Sequence, residues 1–192
     1  MARATGETCR MDKSWIGDVL HFWFAERTPK DWFEKSWTVD LMIRDRFRWL
    51  HAQLAQQVPP DVLDTADGAL AAILVLDQFS RHLYRGDGRA FASDPQALAI
   101  ASLAVDRGYD RRLSSERRQF LYLPFEHSED RSVQARSMAL FGELGVPENL
   151  HYAWLHKVII DRFGRFPHRN AALGRASTPE EIAFLSEPNS SF

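Results

Sequence analysis

Apolar residues recur at steps of three and four along most of the chain, and sustained alternation of apolar and polar residues is missing. The first pattern is typical of one buried helix face, whereas alternation would indicate strands. The chain is therefore predicted to be all-α, with about seven or eight helices joined by short turns. The predicted helices are 13–24, 31–57, 66–83, 94–108, 116–122, 128–141, 147–163 and a last short helix that begins after Thr178.

Prolines, glycines and capping side chains predict where these helices begin and end. Asp94 and Thr178 each precede a proline, so that a capping side chain is followed by proline at the first helical position. Pro124 is predicted to end one helix and Ser128 to begin the next. Because short turns join antiparallel neighbours, we expect helix pairs in a bundle or a tetratricopeptide-like array, although no sequence repeat of fixed period is present.

Composition limits the class of protein without giving its function. The 192 residues, 45% of them hydrophobic, are enough for one domain, predicted at 13–192 behind a flexible tail at 1–12. A formal net charge of −2 gives no general attraction to nucleic acid or to an anionic membrane. The first residues have no apolar core of the length that a signal peptide needs, and no run of about 18 apolar residues occurs. The single cysteine, Cys9, cannot form an internal disulfide. A cytoplasmic location is expected.

The first candidate site lies in the motif "ILVLDQFSRHLYRG". Residues 69–76 are apolar on every helix face, which predicts a helix in the middle of the core, yet Asp77, Gln78, Arg81 and Arg85 follow at once. Asp77 and Arg81 are one helical turn apart and could form an internal ion pair. Alternatively, the arginines could form an anion pocket, because planar guanidinium groups suit carboxylates and phosphates.

The second candidate is the motif "LPFEHSED", which places Glu126 and His127 at the junction of two predicted helices. A histidine beside carboxylates could act as a general base with its ring oriented by Glu126 or Glu129. The same histidine could equally cap a helix. Glu129 and Asp130 fall in a first helical turn and are explained by the helix dipole alone.

The third candidate is the segment "DRFGRFPHRNAALGR", in which glycines and a proline predict an ordered non-helical turn. Irregular segments beside a rigid helix are common places for binding residues, but arginines there could also bond helix C-terminal carbonyls. His156, on an apolar face of the preceding helix, is interpreted as a core histidine. The polar side chains of the turn are Arg165, His168, Arg169, Asn170 and Arg175.

Several well-defined kinds of site are excluded by the absence of their motifs. The chain has no HExxH, no Walker loop, no dinucleotide fingerprint and no GxSxG elbow. Glu148 and His151 form a single Glu-x-x-His, whereas a di-iron bundle needs two. The sequence therefore predicts neither a metal site nor a cofactor.

Taken together, the motifs resemble one bacterial family of uncharacterised proteins, catalogued as a domain of unknown function with an all-helical, tetratricopeptide-like fold. The resemblance covers about residues 15–186 and includes "VLHFWF", "WFEKSW", "LDQFSRHLYRG", "LPFEHSED" and "IIDRFGRFPHRNAALGRASTPEEIAFL". The usual family wording of the first long motif is closer to LDQFPRNIFRG, so that Ser80 and His82 depart from it. The resemblance implies the fold but no activity.

We expect the three polar motifs to converge on one concavity that binds a small anionic ligand, because charged groups beside apolar helices must be paired or serve a ligand. An enzyme using acid/base catalysis is one version of this hypothesis. The alternatives are a protein-interaction scaffold that binds a peptide or partner helix in its groove, and charged motifs that only hold the fold. The hypothesised residues are Arg81, Arg85, Arg165 and Arg169 as charge partners, Gln78 as an orienting group, and Glu126, His127 and His168 as acid/base groups.

Overall fold

A computed structural model describes residues 12–188, 190 and 191. Cys9 and all but the last residue of the predicted N-terminal tail lie outside these residues. The described residues form helices and turns and contain no strand, which confirms the all-α prediction. None of these helices is both long and apolar enough to cross a membrane.

The α-helices are α1 (Ser14–His21), α2 (Pro29–Phe33), α3 (Trp37–Gln56), α4 (Ala66–Ile73), α5 (Ser80–Leu83), α6 (Asp94–Asp106), α7 (Ser115–Glu126), α8 (Arg131–Leu144), α9 (Pro147–Phe163) and α10 (Pro179–Phe184). Two π-helical segments occur, Phe22–Glu26 after α1 and Leu74–Phe79 between α4 and α5. Short 3-10 turns lie at Pro60–Asp64, Gly88–Phe91, Asp110–Arg112 and Pro167–Arg169.

The centre of the fold is the continuous helix formed by α4, the π-helical segment and α5. Every residue from 68 to 80 is buried, as the apolar run in the sequence predicts. This helix packs against α1, α3, α6 and α7. Because the helix is enclosed by its neighbours, the polar side chains at its C-terminal end are also drawn into the interior.

Three predicted helix boundaries are wrong. The helix predicted at 31–57 is two helices, because the chain is extended at Ser36, whose side chain accepts a hydrogen bond from the Val39 amide and caps α3. Pro124 lies inside α7, which continues to Glu126 because packing of the buried residues 120–126 outweighs the loss of one helical hydrogen bond.

The third incorrect boundary is the start of α8. Asp130, rather than Ser128, caps this helix, since its carboxylate accepts hydrogen bonds from the amides of Ser132 and Val133. The helix ends at Leu144, before Gly145, which takes a left-handed conformation with a φ of 73°. The helices α7, α8 and α9 then pack consecutively against one another.

Candidate functional site

A buried aspartate and a histidine lie at the centre of the candidate site. The π-helical segment between α4 and α5 carries Asp77, which is fully buried, and His127 follows the last residue of α7. The Nδ1 atom of His127 lies 2.7 Å from Oδ1 of Asp77. Nη1 of Arg81 lies 3.1 Å from the same oxygen, and the amide of Gln78 donates to the other. Local π-helical geometry is frequent at functional sites.

Burial, together with the charge of Arg81, keeps His127 a neutral imidazole near neutral pH. Burial alone would raise the pKa of Asp77, but the neighbouring Arg81 and His127 hold it below its usual range. Burial, assisted by Arg81, lowers the pKa of His127 although Asp77 opposes the change. Because the Asp77 carboxylate can only accept a hydrogen bond, Nδ1 of His127 carries the proton and Nε2 holds the free lone pair.

The second ring nitrogen of His127, Nε2, is the one that does not contact Asp77. The His127 side chain is 12% exposed. Its Nε2 atom makes no hydrogen bond within residues 12–188, 190 and 191. A histidine oriented by a buried aspartate, with its other nitrogen free, can accept a proton from a molecule bound beside it.

A carboxyl group that holds its proton lies next to this pair. Burial, and to a lesser extent the charge of Asp77, raises the pKa of Glu126 to about 8. Oε1 of Glu126 lies 3.0 Å from Nδ1 of His156, whose own pKa burial lowers well below its ordinary value. The ring of His156 is 6.1 Å from that of His127. His156 is buried and its Nδ1 also lies 2.9 Å from the backbone oxygen of Tyr152, so it is the hydrogen-bonded core histidine that the sequence predicts, and it packs beside the site.

Two arginines share one carboxylate on the other side of Asp77. Arg81 donates to both oxygens of Asp94, at 3.1 and 3.2 Å, and Nη1 of Arg169 lies 3.2 Å from Oδ2 of the same group. The central carbon of the Arg169 guanidinium lies 4.5 Å from the centroid of the Phe91 ring and 4.6 Å from that of the Phe166 ring. Its Nε atom is buried and has no hydrogen-bond partner in the described part of the chain. Burial, and then the charge of Arg81, lower the pKa of Arg169 to about 10.

His168 precedes Arg169 on the same 3-10 turn and belongs to this group. Its ring centroid lies 5.5 Å from that of Phe166. Burial, assisted by the charge of Arg169 and of His127, lowers the pKa of His168 to about 4. The imidazole is therefore neutral near neutral pH.

Two of the predicted arginines lie elsewhere. Arg85 donates to both oxygens of Asp40 on α3, at 2.9 and 2.7 Å, and Nδ1 of His82 lies 2.7 Å from Asp40 as well. Arg165 donates to both oxygens of Glu181 on α10, at 2.6 and 2.8 Å. Each forms a separate ion pair that links distant parts of the chain, so neither joins the charge cluster around Asp77.

The structure therefore brings together part of each polar motif. We call this set the Asp77 network; it consists of Asp77, Gln78, Arg81, Asp94, Glu126, His127, His156, His168 and Arg169. Two of the pockets in the described part of the protein have volumes of about 490 and 360 Å³, and no member of this network lines either of them. Within the residues that the structure describes, no cluster of histidine, cysteine and carboxylate side chains could hold a metal ion.

Asp94 is the member of the network that sequence reasoning placed in a different role. It was predicted only as a helix cap before Pro95, whereas the structure places it in the first turn of α6, where its side chain binds two arginines. A signal was present, since the motif "RAFASDP" puts an aspartate and an aromatic residue shortly after Arg81 and Arg85. Helix periodicity alone could not show that Arg169, 75 residues later, shares that carboxylate.

Comparisons with known proteins agree on the family. The model of a family described as bacterial protein of unknown function (DUF924) matches residues 19–189. A solved structure of the protein of unknown function ATU0120 from Agrobacterium tumefaciens is similar, with 40% sequence identity, a TM-score of 0.86, and coverage of 90% of this chain and 97% of that chain. A search of curated proteins finds no match. The chain belongs to the DUF924 family of bacterial proteins.

Proposed function

We propose that the protein is an enzyme that moves a proton to or from a small anionic substrate, with His127 as the general base. The observation that carries this proposal is the 2.7 Å contact between His127 Nδ1 and the fully buried Asp77, which leaves Nε2 without a hydrogen bond to any residue that the structure describes. The aspartate fixes the tautomer and stabilises the imidazolium that forms when Nε2 takes a proton.

Glu126 supports the proposal as a second proton-holding group. With a pKa of about 8 it is mostly protonated near neutral pH, whereas Asp77 close by is ionised. Paired ionisable groups whose surroundings drive their pKa values apart are typical of acid–base sites. Glu126 would hold a proton that can return to the substrate, and the neutral imidazole of His168 adds a further acceptor.

Arg169 supports an anionic substrate. Its guanidinium contacts two aromatic rings, its residue is only 6% exposed, and its Nε atom lacks a hydrogen-bond partner in the described residues. A buried cation whose pKa is depressed to about 10 would be stabilised by a bound negative group. Carboxylate and phosphate both suit the planar guanidinium. Arg81 lies on the same carboxylate and adds a second positive charge.

The test is deuterium incorporation into small anionic metabolites incubated with the protein in heavy water and analysed by mass spectrometry. A proton-transfer enzyme should exchange carbon-bound hydrogen of its substrate, and His127→Gln should abolish the exchange. His151→Gln is the matched control, because His151 is exposed on α9. A thermal-shift screen of the same anions should show a stabilising ligand for wild type that Arg169→Gln no longer binds.

The competing role of the network is purely structural, and the observation in its favour is that Arg81 and Arg169 already pair with carboxylates. Under that role no anion raises the melting temperature, no exchange occurs, and Arg169→Gln lowers stability as its only effect. That combination of results would refute the proposed enzyme.

A further inference from the structure

A second candidate binding site lies away from the Asp77 network, between α3 and the turn that follows α5. The larger cavity, about 490 Å³, is lined on the α3 side by Arg44, Arg48 and Trp49, and on the other side by Tyr84 and Arg89. This volume is within the range of about 300–1,000 Å³ usual for small-molecule sites.

The charges on the α3 wall are only partly neutralised by the described residues. Arg44 and Arg48 are one helical turn apart, a spacing at which like charges repel. Arg44 has a single contact of 3.4 Å with its exposed neighbour Asp45. Arg48 forms no salt bridge with any residue that the structure describes, in contrast to the four arginines first predicted as anion binders. This wall therefore keeps positive charge available to a ligand.

The opposite wall is held in a fixed geometry. Arg89 donates to both carboxylate oxygens of Asp87, at 3.1 and 2.9 Å, and its guanidinium lies 4.6 Å from the centroid of the Tyr84 ring. Trp49 faces this wall from α3 with 74% of its surface exposed. Indole and phenol rings offer flat surfaces on which a planar group can stack.

We propose that this groove binds a small anion that carries a planar aromatic ring, with the ring against Trp49 and the negative group on Arg44 and Arg48. The aromatic side chains can stack on the ring of such a ligand while the neighbouring guanidinium groups bind its negative group. The negative group could be a phosphate or a carboxylate, since the same guanidinium groups bind either.

Binding is tested with four probes titrated into the intact protein by isothermal calorimetry. Adenosine 5′-monophosphate and 4-hydroxybenzoate carry a ring and an anionic group, whereas adenosine has only the ring and inorganic phosphate only the charge. Adenosine 5′-monophosphate or 4-hydroxybenzoate should bind at least about tenfold more tightly than adenosine and inorganic phosphate. A tenfold ratio corresponds to loss of one modest interaction, here that of the ring or that of the anionic group. Which of the two binds identifies the anionic group.

Two variants and two matched controls locate the site. Trp49→Ala and Arg48→Gln should each weaken binding of the preferred probe at least about tenfold. Trp37→Ala is the aromatic control, because Trp37 is 75% exposed and lies twelve residues before Trp49 on the same helix, about 18 Å away. Arg111→Gln is the charge control, because Arg111 is exposed and outside the groove.

Three results with these probes and variants would overturn the proposal: no probe binds at millimolar concentration, adenosine or phosphate binds as well as the combined probes, or the control variants lose as much affinity as the groove variants. Unfolding curves that match wild type would show that the exposed positions were changed without loss of the fold. Binding of an acidic peptide in place of all four probes would assign the groove to a protein partner and would likewise refute a small aromatic ligand.

Discussion

Replacing Glu126 by glutamine should remove a pH dependence of stability that the wild-type protein has near neutral pH. In the folded protein this group keeps its proton up to a pKa of about 8, whereas its ordinary value is 4.5. Between those two values the folded state binds one proton more than the unfolded state, so the free energy of unfolding falls as pH rises. The contribution is fully present below 4.5 and is lost as pH passes through about 8.

The magnitude follows from the proton difference. One bound proton changes the free energy of unfolding by about 1.4 kcal/mol for each pH unit. Over about two units, from about pH 5.5 to about pH 7.5, wild type should lose about 2–3 kcal/mol relative to Glu126→Gln. Glutamine is neutral and of similar shape, so the two proteins should be closest in stability at the acidic end.

The assay is urea unfolding followed by circular dichroism at half-unit steps of pH, with the difference between the two proteins plotted against pH. The lowered pKa values of His127, His156 and His168 make the free energy of unfolding rise with pH below their ordinary value of 6.5. Both proteins contain these histidines, so most of that rise cancels in the difference between them. Glu143→Gln is the control, because Glu143 is exposed on α8, and its difference from wild type should not vary with pH. A flat difference for Glu126→Gln would refute the reasoning from burial.

Further predictions concern the ion pairs and the packing. Asp77→Asn should destabilise the protein by about 3–5 kcal/mol, because it breaks a buried charge pair. It should also lower the pKa of His127 further in an NMR titration, since the charge and the hydrogen bond of Asp77 raise that pKa more than Asp94 does. Asp40→Asn should lower the free energy of unfolding by about 2–3 kcal/mol at neutral pH. Burial opposes ionisation of Asp40, but hydrogen bonds from His82 and Arg85 overcome it and hold the pKa at about 2 instead of 3.8. In acid-unfolding curves, the difference in stability between this variant and wild type should therefore close as pH falls through that range. Gly68→Ala should destabilise the protein by about 1–3 kcal/mol in thermal unfolding, because a Cβ atom would clash with the backbone oxygen of Val62. Gly142→Ala should instead stabilise α8 by about 0.5–1 kcal/mol, because a Cβ atom there would meet no atom within 4 Å. Equal effects of the two glycine substitutions would contradict the packing described around α4.

The sequence by itself determined the all-α class, most of the helices and the burial of residues 68–80, because helical periodicity and a fully apolar run are local properties of the chain. It also located the polar positions that deserve a functional hypothesis, since Asp77 and Arg81 follow that apolar run directly. It misplaced the end of α7, because a proline is a local signal and the packing that overrides it at Pro124 comes from distant residues.

Only the tertiary structure decided which charges meet. Sequence spacing grouped Arg81 with Arg85, yet Arg81 joins Asp77 and Asp94 while Arg85 pairs with Asp40 on another helix. The proton held by Glu126 likewise depends on enclosure by other helices and on the nearby charge of Asp77, neither of which a residue's position in the chain reveals. Ion pairing and pKa are set by distances of a few ångströms between segments far apart in sequence, and those distances exist only once the chain has folded.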